Sequence, residues 1–125
     1  MSYKNILLID DDEDDCEIFL VAIEKAYGTG NYTAIHDATK ALQQLEEKRL
    51  APELIFLDLN MPVMNGVQFL TEIKKRETLR DIPVIILTTS SQPQLVDQTK
   101  SLGASDFITK PVSFNGYIEI LQSIA

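Results

Sequence analysis

Five short runs with strand character alternate with stretches of helical spacing, and few folds can satisfy that rhythm. The runs are Ile6–Ile9, the β-branched and aromatic Tyr32–His36, Leu54–Leu57 leading into Asp58, Val84–Leu87 and Phe107–Thr109. Each is too short for a helix, and three of them are continuously apolar, as strands buried on both faces must be. Between them, Cys16, Phe19, Leu20, Ile23 and Tyr27 recur at helical spacing, as do Ala38, Ala41, Leu42 and Leu45. Val67, Leu70 and Ile73, then Leu95, Val96 and Leu102, then Tyr117, Ile118 and Leu121 mark three more helices. Gly28 and Gly103 are natural stops, and Pro93 is well placed to open the fourth helix. Strands and helices alternating five times predict a doubly wound α/β domain, a parallel sheet covered on both faces. At 125 residues and 45% hydrophobic content, one such core is affordable, and one domain is the expectation.

In such a fold ligands collect beyond the carboxyl ends of the strands, so the polar residues ending each run become the candidates. They are Asp10 and Asp11 after the first run, Asp58 after the third, Thr88 after the fourth and Lys110 after the fifth. Singly, each has a structural reading: a cap, a solvated acid, a solvated base. Gathered on one edge, the acids repel, since two unit charges ~4 Å apart cost roughly 4 kcal/mol at an effective dielectric near 20. Positive charge must balance them. Lys110 supplies one charge and a hard divalent cation would supply two, held by carboxylates, a loop carbonyl and water. An aspartate beside such a cation, a hydroxyl and a lysine is arranged to attack phosphorus, with Asp58 as the in-line nucleophile.

Composition excludes several other classes. Eleven basic residues against 19 acidic give a net charge of −8, which disfavours binding to nucleic acid or to an anionic membrane surface. Cys16 is the single cysteine, so no internal disulfide or CxxC motif exists, and its expected place is a buried helix position. No apolar run approaches the ~20 residues of a membrane span. Met1–Asn5 does not resemble a signal peptide, and a cytoplasmic protein is the expectation. His36, the only histidine, reads as structural or solvent-facing. An EF-hand loop counted from Asp10 would want Gly and Glu where Asp15 and Val21 stand.

The chain resembles the receiver domains of bacterial two-component response regulators, of the chemotaxis-regulator-like superfamily. The resemblance covers essentially the whole length. It rests on the apolar strand with Asp10-Asp11, on Leu57-Asp58-Leu59-Asn60-Met61-Pro62 with Asn65-Gly66, on Leu87-Thr88 and on Thr109-Lys110-Pro111, at spacings that suit the family. It implies a five-stranded sheet of flavodoxin-like order 2-1-3-4-5 with five helices. It further implies that Asp58 accepts a phosphoryl group from a histidine kinase or phosphotransfer protein. Asp10, Asp11, Asp58 and the backbone carbonyl of Asn60 would hold Mg2+, or Mn2+. Thr88 and Lys110 would bind the phosphoryl group, and Phe107 would be the aromatic partner of the Thr88 switch, without the hydroxyl that a tyrosine would bring. Asn60, Thr89 and Ser90 fall where the family tunes access and lifetime, and Thr89 is bulkier than the small residue usual there. Pro111 is expected to be cis by this resemblance, although an X-Pro bond by itself favours trans.

The implied protein is a phosphoprotein switch of a phosphorelay rather than a turnover enzyme. Its downstream protein partner would be met through the fourth helix, fifth strand and fifth helix. With the chain stopping at Ala125 after its last helix, a stand-alone receiver over residues 1–125, with no output domain, is the expectation. Two rivals share parts of the pattern. A haloacid-dehalogenase-type phosphatase would use Asp10 as nucleophile and Asp12 as acid and base, but Asp14 stands where its motif needs Thr or Val. A flavin module would need Ser, Thr and Gly where six acids follow the first strand.

Overall fold

The computed structural model describes residues 3–124; Met1, Ser2 and Ala125, which enter the readings of the two termini, lie outside the described residues. In chain order the elements are β1 (Asn5–Ile9), α1 (Glu13–Tyr27), β2 (Asn31–Ile35), α2 (Ala38–Glu46), β3 (Leu54–Leu57), α3 (Gly66–Lys74), β4 (Val84–Thr88), α4 (Pro93–Ser101), β5 (Asp106–Thr109) and α5 (Phe114–Ile124). The five strands form one parallel sheet in the order β2-β1-β3-β4-β5. Chain direction reverses its march across the sheet between β1 and β3, which opens a crevice at their carboxyl ends.

Why the strands run where they do follows from burial. β1, β3 and β4 are the three inner strands, and from Ile6 onward every residue in them is buried. β2 and β5, at the two edges, are only partly buried. Alternation then divides the core. Leu7, Ile9, Ile55, Leu57, Val84 and Ile86 face α2, α3 and α4. Ile6, Leu8, Leu54, Phe56, Ile85 and Leu87 face α1 and α5, where Phe19 meets Phe56 and Tyr117 edge-on.

The helix ends carry the local signals that set the loops. Asp12 caps α1 by accepting from the Asp15 amide at 3.0 Å, and Gly28 ends it at φ +83°, where a side chain would be strained. Asp37 caps α2, and Asn65 with Gln68 closes a reciprocal capping box on α3. Gly66 matters for a different reason: a Cβ there would lie 2.3 Å from the Asp58 carbonyl oxygen and 2.7 Å from Leu59 Cα. The β3–α3 connection therefore folds tightly against the strand tip that carries Asp58.

Two details differ from expectation. Phe69, rather than the half-buried Val67, is the α3 residue wholly buried with Leu70 and Ile73. The peptide bond before Pro111 is trans, since no cis bond occurs among the described residues. This corrects the cis expectation, and it accords with the intrinsic trans preference of an X-Pro bond. Among the described residues no helix is long and apolar enough to cross a membrane.

Candidate functional site

The carboxyl ends of β1 and β3 deliver their acids by prolonging the sheet ladder. The Asp10 amide donates to the Ile35 carbonyl at 3.1 Å, and the Asp58 amide donates to the Ile9 carbonyl at 2.9 Å. Both side chains are consequently buried, Asp10 at 1% and Asp58 at 5% exposure. Asp11 is exposed beside them. One carboxylate oxygen from each of Asp10, Asp11 and Asp58 falls within 4.8 Å of the others. Three oxygens at that separation suit a hard divalent cation and suit nothing apolar.

Each buried acid is partly satisfied by the protein. Asp10 Oδ1 accepts from the Asp12 amide at 3.0 Å, and its Oδ2 pairs with Lys110 Nζ at 2.7 Å. Asp58 Oδ1 accepts from the Leu59 amide at 2.9 Å. Burial pushes the Asp10 carboxyl above the usual range, and the Lys110 and Asp12 hydrogen bonds offset this only in part. The Asp10 carbonyl is bracketed as well. Cys16 Sγ donates to it at 3.4 Å, and His36 Nδ1 lies 3.0 Å away, on an exposed ring. Cys16 is buried as expected, its thiol pushed up to about 12 by burial first and by the Asp10 charge second.

Lys110 arrives from β5, where its amide extends the ladder by donating to the Thr88 carbonyl at 2.8 Å. Its side chain, 8% exposed, bonds two carboxylates, Asp10 at 2.7 Å and Asp15 at 2.8 Å. Burial alone would lower the lysine, but the hydrogen bonds to Asp10 and Asp15 and the charges of Asp10 and Asp58 outweigh it, so the ammonium is held above its ordinary value. Asp15 is the member that the sequence did not single out. It lies in the first turn of α1, inside a run of six acids that gives no sign of which one turns toward β5.

The remaining candidates surround this centre. Thr88 ends β4 wholly buried, and its Oγ1 finds no hydrogen-bond partner among the described residues. A buried hydroxyl left alone costs roughly 1–3 kcal/mol, so this one is poised to accept a partner. Thr88 and Phe107 fall on the α4 face of the sheet, by alternation with Ile86 and by the pairing of Ile86 with Phe107. Phe107 is half-buried against that core. Asn60 and Thr89 are exposed and Ser90 half-buried. Asp10, Asp11, Asp58 and Lys110 thus share one tip of the sheet, with Thr88 on the neighbouring strand.

Comparison with known proteins points the same way. The model of the response regulator receiver domain family matches residues 6–122. The probable methanogenesis regulatory protein FilR2 of Methanothrix harundinacea is 31% identical over 95% of this chain and 79% of its own length. The chain spans about half or less of the next relatives that it matches. Among solved structures, the phosphorylated cyanobacterial phytochrome response regulator RcpA aligns with a TM-score of 0.89 at 28% identity, covering 98% of this chain and 91% of that one. The Mn2+-bound form of response regulator Rcp1 aligns with a TM-score of 0.85, also at 28% identity, covering 97% and 91%.

Proposed function

Because the chain belongs to the response regulator receiver domains of two-component signalling, we propose that it is a phosphorylation switch whose phosphoacceptor is Asp58. The observation that carries this reading is the convergence of Asp10, Asp11 and Asp58 within 4.8 Å, with Asp58 buried at the strand tip. Asp58 Oδ1 is held by the Leu59 amide, while Oδ2 accepts no hydrogen bond among the described residues. That second oxygen is the nucleophile. It forms the new oxygen–phosphorus bond as the phosphorus–nitrogen bond of a donor phosphohistidine breaks, and the departing imidazole takes up a proton.

The donor set fits a divalent cation: two buried carboxylates and one exposed, with Asn60 in the loop that follows β3. Asp10, Asp11, Asp58 and the Asn60 carbonyl would hold Mg2+ or Mn2+, which when bound supplies charge neutralisation for the equatorial phosphoryl oxygens. The Mn2+ in Rcp1 and the phosphorylation of RcpA are properties of those relatives that support extending the same chemistry to this chain. Lys110 contributes a second positive charge, and Thr88 donates its free hydroxyl to a phosphoryl oxygen.

Phosphorylation adds about −1.5 to −2 charge at Asp58. Thr88 moves toward it, Phe107 follows into the space vacated on the α4 face, and the surface of α4, β5 and α5 changes for a downstream protein partner. The donor is a sensor histidine kinase or a phosphotransfer protein. Residues 1–125 act in the cytoplasm as a single receiver that regulates by binding, with no direct nucleic-acid contact and no turnover chemistry of their own. Asn60, Thr89 and Ser90 set how readily water reaches the acyl phosphate.

A haloacid-dehalogenase-type reaction through Asp10 is not favoured, since both oxygens of Asp10 are already engaged, by the Asp12 amide and by Lys110. The reading is tested by intact-mass measurement of phosphoryl uptake from a small phosphodonor, with Mg2+ and with chelator. Uptake should need the cation and vanish in Asp58→Asn; full uptake by that variant would refute it.

A further inference from the structure

Lys110 rests in a position that phosphoryl binding does not explain. Its ammonium has three N–H donors, and two are given to Asp10 and Asp15 at 2.7 and 2.8 Å, with none hydrogen-bonded to Asp58. We propose that Asp15 is a positioning residue that latches Lys110 in the resting state, so that charging Asp58 requires Lys110 to exchange the Asp15 carboxylate for a phosphoryl oxygen. The inference rests on Asp58 being the phosphoacceptor and adds a determinant of how easily it is charged.

The latch is built from the fold. Asp15 sits in the first turn of α1, where its own amide is fixed at 3.0 Å by the capping carboxylate of Asp12. That helix is buried along Cys16, Phe19, Ala22, Ile23 and Tyr27, so its first turn cannot drift with Lys110. Lys110 comes from β5 on the same face of the sheet, and the pair closes a link across most of the chain. The two partners are unequal. Asp15 is 35% exposed at its side chain and would be hydrated readily if released, whereas Lys110 is 8% exposed and must keep an anion beside it.

The same inequality gives the direction of the effect. When Asp10 turns its carboxylate to a cation, Asp15 becomes the anion that still holds Lys110. A phosphoryl group must then compete with it for the ammonium, and must also approach a second negative charge. Removing the Asp15 charge relieves both penalties. A carboxylate in a first helical turn is favourable without any lysine nearby, so a purely structural Asp15 would affect helix stability and leave the phosphoryl site alone.

The experiment is a beryllofluoride titration of the full chain in Mg2+, followed by 19F NMR, with thermal melts confirming that each variant is folded. Asp15→Asn should bind about two- to tenfold tighter than wild type, and Asp15→Glu should stay near wild type. Asp15→Ser, which keeps a small polar group in the first turn, serves the same comparison should Asp15→Asn fold poorly. In a Lys110→Ala background Asp15→Asn should lose most of that gain and keep only the relief of the bare charge, because the larger part of the effect runs through Lys110. Unchanged or weaker binding by Asp15→Asn overturns the latch, as does an equal gain without Lys110, which would be the bare charge alone. If wild type itself binds no beryllofluoride, or Asp58→Asn binds it equally well, the phosphoacceptor reading fails instead.

Discussion

Helices α1 and α4 flank the same sheet and are seated on it very differently. α1 buries Cys16, Phe19, Ala22, Ile23 and Tyr27, is capped by Asp12, and is tied to α5 by the Tyr27 hydroxyl donating to the Leu121 carbonyl. α4 buries only Thr99, starts at Gln92 with no side-chain cap, and leaves a cavity of about 330 Å3 against β5, bordered by Val96 and Phe107. Asp10, Asp58 and Lys110, the groups proposed to hold the cation and the phosphoryl group, belong to the α1 side. Thr88 and Phe107, the groups assigned to respond, belong to the α4 side. Segments with few buried contacts open at lower free energy, so the groups proposed to move lie where movement costs least.

The sharpest way to break this comparison is to truncate one side chain on each side. Phe56→Ala, which empties a fully buried position under Phe19, should lower the unfolding free energy by about 3–5 kcal/mol in urea. Leu95→Ala on half-buried α4 should lower it by about 1 kcal/mol. Equal losses would mean that α4 is anchored as firmly as α1. Next in size, a divalent cation at a hundredfold excess over its Kd should stabilise the protein by about 2.7 kcal/mol in melts compared with chelator. Hydrogen exchange should then slow at the β1 and β3 tips and little along α4.

Thr88→Val sits at the boundary between the two sides. By removing a buried hydroxyl that has no partner, it should raise stability by about 1–2 kcal/mol while weakening beryllofluoride binding. A loss of stability would mean that the hydroxyl is satisfied at rest. The smallest effect concerns the α1–α5 tie. Tyr27→Phe should cost about 1 kcal/mol at neutral pH. Burial pushes the Tyr27 phenol up to about 12 from its ordinary value near 10, so the folded state retains a proton that the unfolded state gives up. That contribution is complete below pH 10 and is lost as pH rises from 10 to 12. The variant should flatten this alkaline limb, as followed by circular dichroism.

The contrast between the two sides was only half legible in the sequence. β1, β3 and β4 could be read because a strand buried on both faces leaves an uninterrupted apolar run, and the stop at Gly28 and the helix start at Pro93 were equally plain. The meeting of Asp10, Asp11 and Asp58 also followed, since parallel strands end on one edge. What could not be read depended on rotation about an axis. Six consecutive acids look alike until helix phase turns Asp15, and not Asp14, toward Lys110. Nor does the apolar spacing of Leu95, Val96 and Leu102 reveal that all three stop half-buried. The Lys110–Pro111 bond showed a resemblance overreaching: the motif suggested cis, and the bond is trans.

Borohydride trapping will show whether Asp58 alone carries the phosphoryl group. Reduction of the acyl phosphate after Mg2+-dependent phosphorylation converts the modified aspartate to homoserine, which peptide mass mapping locates by residue. Homoserine at position 58, with aspartate intact at positions 10 and 11, is the predicted result. Homoserine at Asp10 or Asp11, or none anywhere in a phosphorylated sample, would contradict it.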